Sequence, residues 1–405
     1  MAIPYHDDRR FLLDHVDIVE LHAPDQSAAR VLVSPAWQGR VMTATCGPDA
    51  AAPSFGWVNR GHIKRVSTQG FAPRFNALGG SDRFWLGPEG SRYSIFFDGG
   101  SPFDIAHWRT PPCLDTEPWL VVGRPSPSEV VMRRDTSLIN RAGALFDLRI
   151  DRAVRALSAS QALADLGSAP VPTSGEPRQT RSLNHAAASK APLVAYESIN
   201  TITNIGARPW RRETGLLSIW ILGMYPPGER SVIMLPFRAG NATRLGPLVN
   251  DAYFGPPAAD RMAVRGSSML FRADGRSRGK LGLSPRRATG IAGSYDPDRS
   301  MLTIVSCPPP DPSRPYVNSM WADDVDPFIG DAINAYNDGP VTPGGEPLGP
   351  FHELETSSPG AELDPGESLT HTHRTIHLTG PIEQLDAIAC PLFGLCLRDA
   401  SFPAP

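Results

Sequence analysis

Residues 351–380 read FHELETSSPGAELDPGESLTHTHRTIHLTG. Glu353 and Glu355 stand two apart, His371 and His373 likewise, and His377 lies four beyond His373. Successive side chains of a strand point to opposite faces, so residues two apart share one. Pro365-Gly366 is turn chemistry between the two halves. The stretch therefore predicts two adjacent antiparallel strands that bring carboxylates and imidazoles together. General acid–base chemistry needs such a pair, one proton acceptor and one donor within hydrogen-bond reach of a substrate. Crowding raises one carboxyl pKa, and an imidazole titrates near neutrality. Glu353, His371 and His373 also have the donor types of a divalent-metal site, an alternative placed below a site with no metal or cofactor. The plain alternative is an exposed histidine-rich strand with threonine spacers. No HExxH helix is present, which argues against a zincin.

The same texture extends upstream. Short apolar or alternating runs bounded by Gly, Pro, Asn or Asp occur at 29–34, 40–45, 93–97, 119–122, 144–150, 193–204, 216–222, 231–237, 268–272, 301–306, 349–356 and 375–378. Each reads as a strand. Helical spacing is scarce: Arg152–Leu166 is the best candidate and Pro327–Tyr336 a weaker one. Many strands with few short helices predict a mainly β fold, a sandwich of large antiparallel sheets. The 405 residues are read as a single β domain. The stretch 167–190, rich in Ser, Ala, Pro and Gly, is read as a surface excursion because strand texture continues on both sides.

Composition narrows the function classes. A net charge of -3 gives no electrostatic case for nucleic acid or an anionic membrane. The N-terminal stretch is charged throughout, unlike a signal peptide, and no apolar run approaches a membrane span. Cys46, Cys113, Cys307, Cys390 and Cys396 are odd in number and contain no CxxC pair. They are read as buried free thiols in a reducing compartment, so the expected location is the cytoplasm. No GxSxG elbow, P-loop or GxGxxG opening a helix occurs.

Three further clusters carry candidate chemistry. Residues 76–90, NALGGSDRFWLGPEG, place Asp82, Arg83, Trp85 and Glu89 just after Gly79-Gly80. On a strand Arg83 and Trp85 face the same way. An indole beside charged hydrogen-bonding groups suits a sugar: the ring covers C–H bonds while the polar groups read hydroxyls. A structural Arg–Asp pair with a core Trp is the competing reading. Lys280, in SRGKLGLSPRR, would grip a carboxylate or phosphate if it faced a pocket. Tyr336–Gly339, YNDG, reads first as a turn.

In several of its motifs the chain resembles the aldose 1-epimerases of the galactose-mutarotase-like superfamily. ELETSSP followed by LDPGESLTHTHRTIHLTG is similar to that family's C-terminal segment. TITNIGARPW at 201–210 looks like its Thr-Asn-Gly strand, and GRVMTATCGP at 39–48 its opening strand. SFGWVN, GGSDRFWLGPEG, TGLLSIWILGMYPPG and AGSYD also look like an uncharacterised bacterial family within the superfamily. The resemblance implies a β-supersandwich and a carbohydrate-active isomerase acting on a sugar or oligosaccharide. It implies Glu353 or Glu355 as the base taking the anomeric hydroxyl proton. The family's acid histidine has no counterpart in LLSIWILG, where Ser218 and Trp220 occupy that neighbourhood. His371 or His373 is then the expected acid, with Asp82, Arg83, Trp85, Glu89, Trp220 and Lys280 holding substrate. A non-catalytic carbohydrate-binding protein, or a lyase or hydrolase on the same scaffold, is the alternative.

Overall fold

The computed structural model describes residues 3–48, 51–167, 191–340 and 344–402. The excursion expected at 167–190 lies outside the described residues apart from Gly167, which ends a helix.

Among the described residues the chain is mainly β, in antiparallel sheets. A three-stranded sheet holds β1 (Val19–Ala23), β2 (Gln26–Ser34) and β3 (Arg40–Thr45). A five-stranded sheet runs β13 (Gly279–Leu283), β16 (Ile333–Asn337), β17 (His352–Ser357), β9 (Ser218–Tyr225), β4 (Arg83–Gly87). A ten-stranded sheet runs β11 (Met262–Arg265), β12 (Ser268–Arg272), β10 (Val232–Pro236), β14 (Ile291–Asp296), β15 (Met301–Ser306), β18 (Ser368–Thr379), β8 (Leu193–Asn204), β7 (Leu145–Leu157), β6 (Glu129–Ile139), β5 (Leu120–Ser126).

The two smaller sheets lie side by side over one face of the large one, joined by the bridge between Val41 and Asp82. Alternation along β10 shows the layering. Ile233 and Leu235 pack with Leu281, Ala335 and Leu354 of the five-stranded sheet. Val232 and Met234 face the other way, against Leu385, Ile388 and Phe393 of the C-terminal helix Ile382–Phe393. The large sheet is thus apolar on both faces along this strand, as a middle layer must be.

Several expectations change. Arg152–Leu166 is not one helix: β7 ends at Leu157, and a helix begins at Ala159. Arg152, Val154 and Ala156 are buried while Ala153 and Arg155 are less so, a period of two that tertiary pairing selects over the helical spacing. Ser158 then makes a capping box with Gln161, each backbone N–H bonded by the other's side chain. Pro327–Tyr336 is loop followed by β16. Residues 93–97 form turns and bends, not a strand. Helices Tyr5–Leu13, Arg60–Gln69 and Ile382–Phe393 were not expected.

Cys390 and Cys396 are joined as a disulfide, not left as thiols. Gly394, with φ 61, turns the chain back after the helix and brings the two Cα atoms to 4.3 Å. Cys46 and Cys113 are buried free thiols, and Cys307 is partly exposed.

Candidate functional site

β17 decides where the site lies. Its pattern His-Glu-Leu-Glu-Thr-Ser sends Leu354 and Thr356 into the sandwich and Glu353 and Glu355 to the opposite face of the five-stranded sheet. Register then assembles that outer face. Lys280, Tyr336 and Glu353 form one cross-strand row. Asn334, Glu355, Leu222 and Arg83 form the next. Trp220 and Trp85 are directly paired in a third. Loops bearing Phe75, Trp108, Trp321 and Phe351 close over these rows and leave a small pocket, with a cavity volume of about 60 Å³. Gly79, with φ 97, supports the entry to β4: a Cβ there would lie 2.1 Å from the Trp57 carbonyl oxygen.

The floor is charged and the walls are aromatic. Arg83 donates from Nη2 to Glu353 Oε1, and its guanidinium lies 5.1 Å from the Trp85 ring centre. Lys280 Nζ is 3.0 Å from Glu355 Oε2, which also accepts from Trp220 Nε1 at 2.8 Å. The ammonium sits 4.6 Å from the Trp220 ring centre. Trp85 and Trp220 meet edge to face at 5.5 Å, and Trp108 stacks with Trp321 at 6.3 Å. Tyr336 Oη donates to Asp338 Oδ1 at 2.7 Å and accepts from Arg278 Nε at 3.2 Å.

Burial raises the Glu353 carboxyl to about 8, against the pull of Arg83 and with the push of Glu355. Burial also raises the Glu89 carboxyl, with Lys280 opposing. The Lys280 ammonium is pulled down by burial, but Glu355 and Glu89 outweigh that and leave its pKa above the ordinary lysine value. Three buried polar atoms here, Trp85 Nε1, Arg83 Nε and Glu355 Oε1, have no hydrogen-bond partner among the described residues. Folded chains rarely leave such groups unmatched, and their clustering marks a surface built to meet a polar ligand or water.

Of the residues expected to act together, Glu353, Glu89, Arg83, Trp85, Trp220 and Lys280 line this pocket. Glu355 lies beneath it, fully buried and held by Lys280 and Trp220. Asp82 points the other way, into the sandwich, where it pairs with Arg152 at 2.7 Å. His371 and His373 are also elsewhere. The expected pairing of the two C-terminal strands does not form: β17 belongs to the five-stranded sheet and β18 to the ten-stranded one. The histidines approach β17 from behind. His371 Nε2 is 2.8 Å and His373 Nδ1 2.9 Å from Thr356 Oγ1. Burial lowers their pKa values to about 3 and about 4, so both are neutral. Glu353 and the two histidines thus lie on opposite sides of one strand and do not converge on a common metal position.

Arg278, Tyr336, Trp108 and Trp321 also line the pocket. Arg278 stands two before Lys280, so strand periodicity carries a signal for it. Trp108 and Trp321 sit on loops far apart in sequence, and only the tertiary fold brings them together. A different cluster, Asp386 with Cys390 and Cys396, has metal-ligand atom types within 4.8 Å of one another, but its sulfurs are joined in the disulfide. Among the described residues, no helix is long and apolar enough to cross a membrane.

Comparison with known proteins adds the following. No curated protein matches the chain significantly. Among solved structures, a Synechocystis protein is 13% identical with a TM-score of 0.49, over 91% of this chain and 97% of its own. A galactose mutarotase-like protein from Lactobacillus casei is 9% identical with a TM-score of 0.44, over 89% of this chain and 100% of its own. A galactose 1-epimerase from Lactobacillus acidophilus is 8% identical with a TM-score of 0.40, over 90% of this chain and 99% of its own. The model of a family of unknown function, DUF6786, matches residues 3–402, and the chain belongs to that family.

Proposed function

We propose that the pocket on the outer face of the five-stranded sheet binds a carbohydrate and that Glu353 exchanges a proton with it. The observation that carries this reading is the Glu353 carboxylate, held by Arg83 on the floor of a tryptophan-walled pocket. Indole faces suit the C–H face of a sugar ring, and fixed charged groups suit its hydroxyls. The motif resemblance to aldose 1-epimerases supports the same ligand class.

The reaction that fits is interconversion of anomers. A base removes the proton of the anomeric hydroxyl, and an acid delivers one to the ring oxygen. The bond between that oxygen and the anomeric carbon breaks to give the open-chain aldehyde, and reclosure on the other face gives the second anomer. Glu353 is the base. Glu89, which shares the pocket and whose carboxyl is raised by burial, is the acid. Neither histidine at 371 or 373 has a part. Glu355 and Lys280 hold the floor in place.

The test is a thermal-shift screen of aldoses, with proton NMR of each stabilising sugar to follow exchange between anomers. Accelerated exchange that Glu353→Gln abolishes supports the reading. Exchange left intact in that variant refutes the role of Glu353. A second reading, binding without turnover, is favoured by the absence of any imidazole among the pocket-lining residues. Under it, sugars raise the melting temperature and anomer exchange stays at the uncatalysed rate.

A further inference from the structure

The charges in the pocket are not evenly matched. Arg83 is paired with Glu353, and Lys280 with Glu355. Arg278 lines the same pocket and makes no direct ion pair among the described residues; it reaches Asp338 only through Tyr336. Its position is nevertheless fixed. The guanidinium carbon lies 4.1 Å from the Phe254 ring centre, and Nε donates to Tyr336 Oη at 3.2 Å. The two terminal nitrogens have no protein acceptor among the described residues.

We propose that the sugar held here is anionic, a uronate or a sugar phosphate, and that Arg278 binds its acid group. The inference rests on the carbohydrate reading above. A guanidinium presents parallel N–H groups that match two oxygens of a carboxylate or phosphate. Stacking on Phe254 and the bond to Tyr336 pre-set that fork, so little side-chain freedom is lost on binding.

Position agrees with chemistry. Arg278 leads into β13, and Glu353 is on β17 with β16 between them. Two inter-strand steps of about 4.8 Å place roughly 10 Å between those backbones. The acid group is therefore read at the end of the sugar away from the anomeric carbon that Glu353 serves. Tyr336 lies between, paired across the sheet with Lys280 on one side and Glu353 on the other. Glu89 and Asp338 both feel the charge of Arg278, but neither makes a direct ion pair with it among the described residues, and burial raises both carboxyls.

The test is calorimetric titration of the full chain with glucose and galactose, their uronates and their 6-phosphates, for wild type, Arg278→Gln and Arg278→Lys. Circular dichroism and the melting temperature check that each variant folds. One acidic series should bind roughly ten- to a hundred-fold more tightly than its neutral parent, the range for hydrogen bonds to a charged group. Arg278→Gln should remove that advantage, weakening the acidic sugar at least about ten-fold more than the neutral one, and Arg278→Lys should keep part of it. The uronate and phosphate arms tell the two acid groups apart. If neutral and acidic sugars bind wild type equally, or if Arg278→Gln affects both alike, the inference is overturned and the carbohydrate reading stands. If no sugar binds in any arm, both fall.

Discussion

Lys280 Nζ, on the pocket floor, stands 3.0 Å from Glu355 Oε2 beneath it, and both side chains are buried. A buried pair of this kind is held by mutual attraction against the loss of hydration on each ion. Removing one partner leaves the other uncompensated in a low-dielectric setting.

Lys280→Met should therefore destabilise the fold by about 3–5 kcal/mol, the usual range when half of a buried pair is removed. The double variant Lys280→Met with Glu355→Leu should recover a large part of that loss. Urea unfolding of both variants and wild type checks this through the midpoints at constant slope. Equal loss in the single and double variants would show that the pair does not act as a unit.

Glu353→Gln keeps the shape of the residue and its contact with Arg83 but loses the basic carboxylate. On any sugar shown to be turned over, the rate should fall about 10²–10⁴-fold. The melting temperature should fall as well, because Arg83 keeps its charge without its carboxylate partner, so rates are compared below the onset of unfolding. The pH profile carries the sign. A base acts when deprotonated, and burial raises Glu353 to about 8, so kcat/KM of wild type should climb as pH rises toward and through that value. A rate flat from pH 6 to 9 would contradict the assignment.

Much of this site was legible in sequence, and the failures share one cause. Period-two spacing at Glu353/Glu355, Arg83/Trp85 and His371/His373 correctly says which residues share a face. It does not say which sheet a strand joins. The Pro365-Gly366 turn looked like a hairpin, yet the chain crosses from one layer to the other there, and β18 pairs with β8 and β15 instead of β17. That crossing sends the imidazoles into the sandwich. Trp108 and Trp321 carry no local pattern, so the aromatic wall could not be read before the fold. The disulfide was missed because the spacing of Cys390 and Cys396 matches no familiar motif, and only the left-handed turn at Gly394 closes it.

That disulfide makes a countable prediction. Thiol titration in denaturant should find three reactive cysteines before reduction, Cys46, Cys113 and Cys307, and five after it. Five thiols without reduction would remove the bond.

The buried histidines give a dependence of stability on pH that is separate from any activity. Burial lowers His352, His371 and His377 to about 3 and His373 to about 4, against 6.5 in the unfolded chain. Below pH 6.5 the unfolded chain takes up protons that the folded chain refuses. The stabilisation is thus fully present above 6.5 and is lost as pH falls toward 4, with a slope of up to about 1.4 kcal/mol per pH unit for each histidine. Urea unfolding at pH 7.5, 6 and 5 should show this decline. His371→Asn should remove its own share of the slope, one histidine of the four, while leaving sugar binding unchanged, because His371 lies behind β17 and the pocket in front. A variant that abolishes binding yet keeps the wild-type slope would place His371 in the pocket instead, and would return the imidazole to the chemistry.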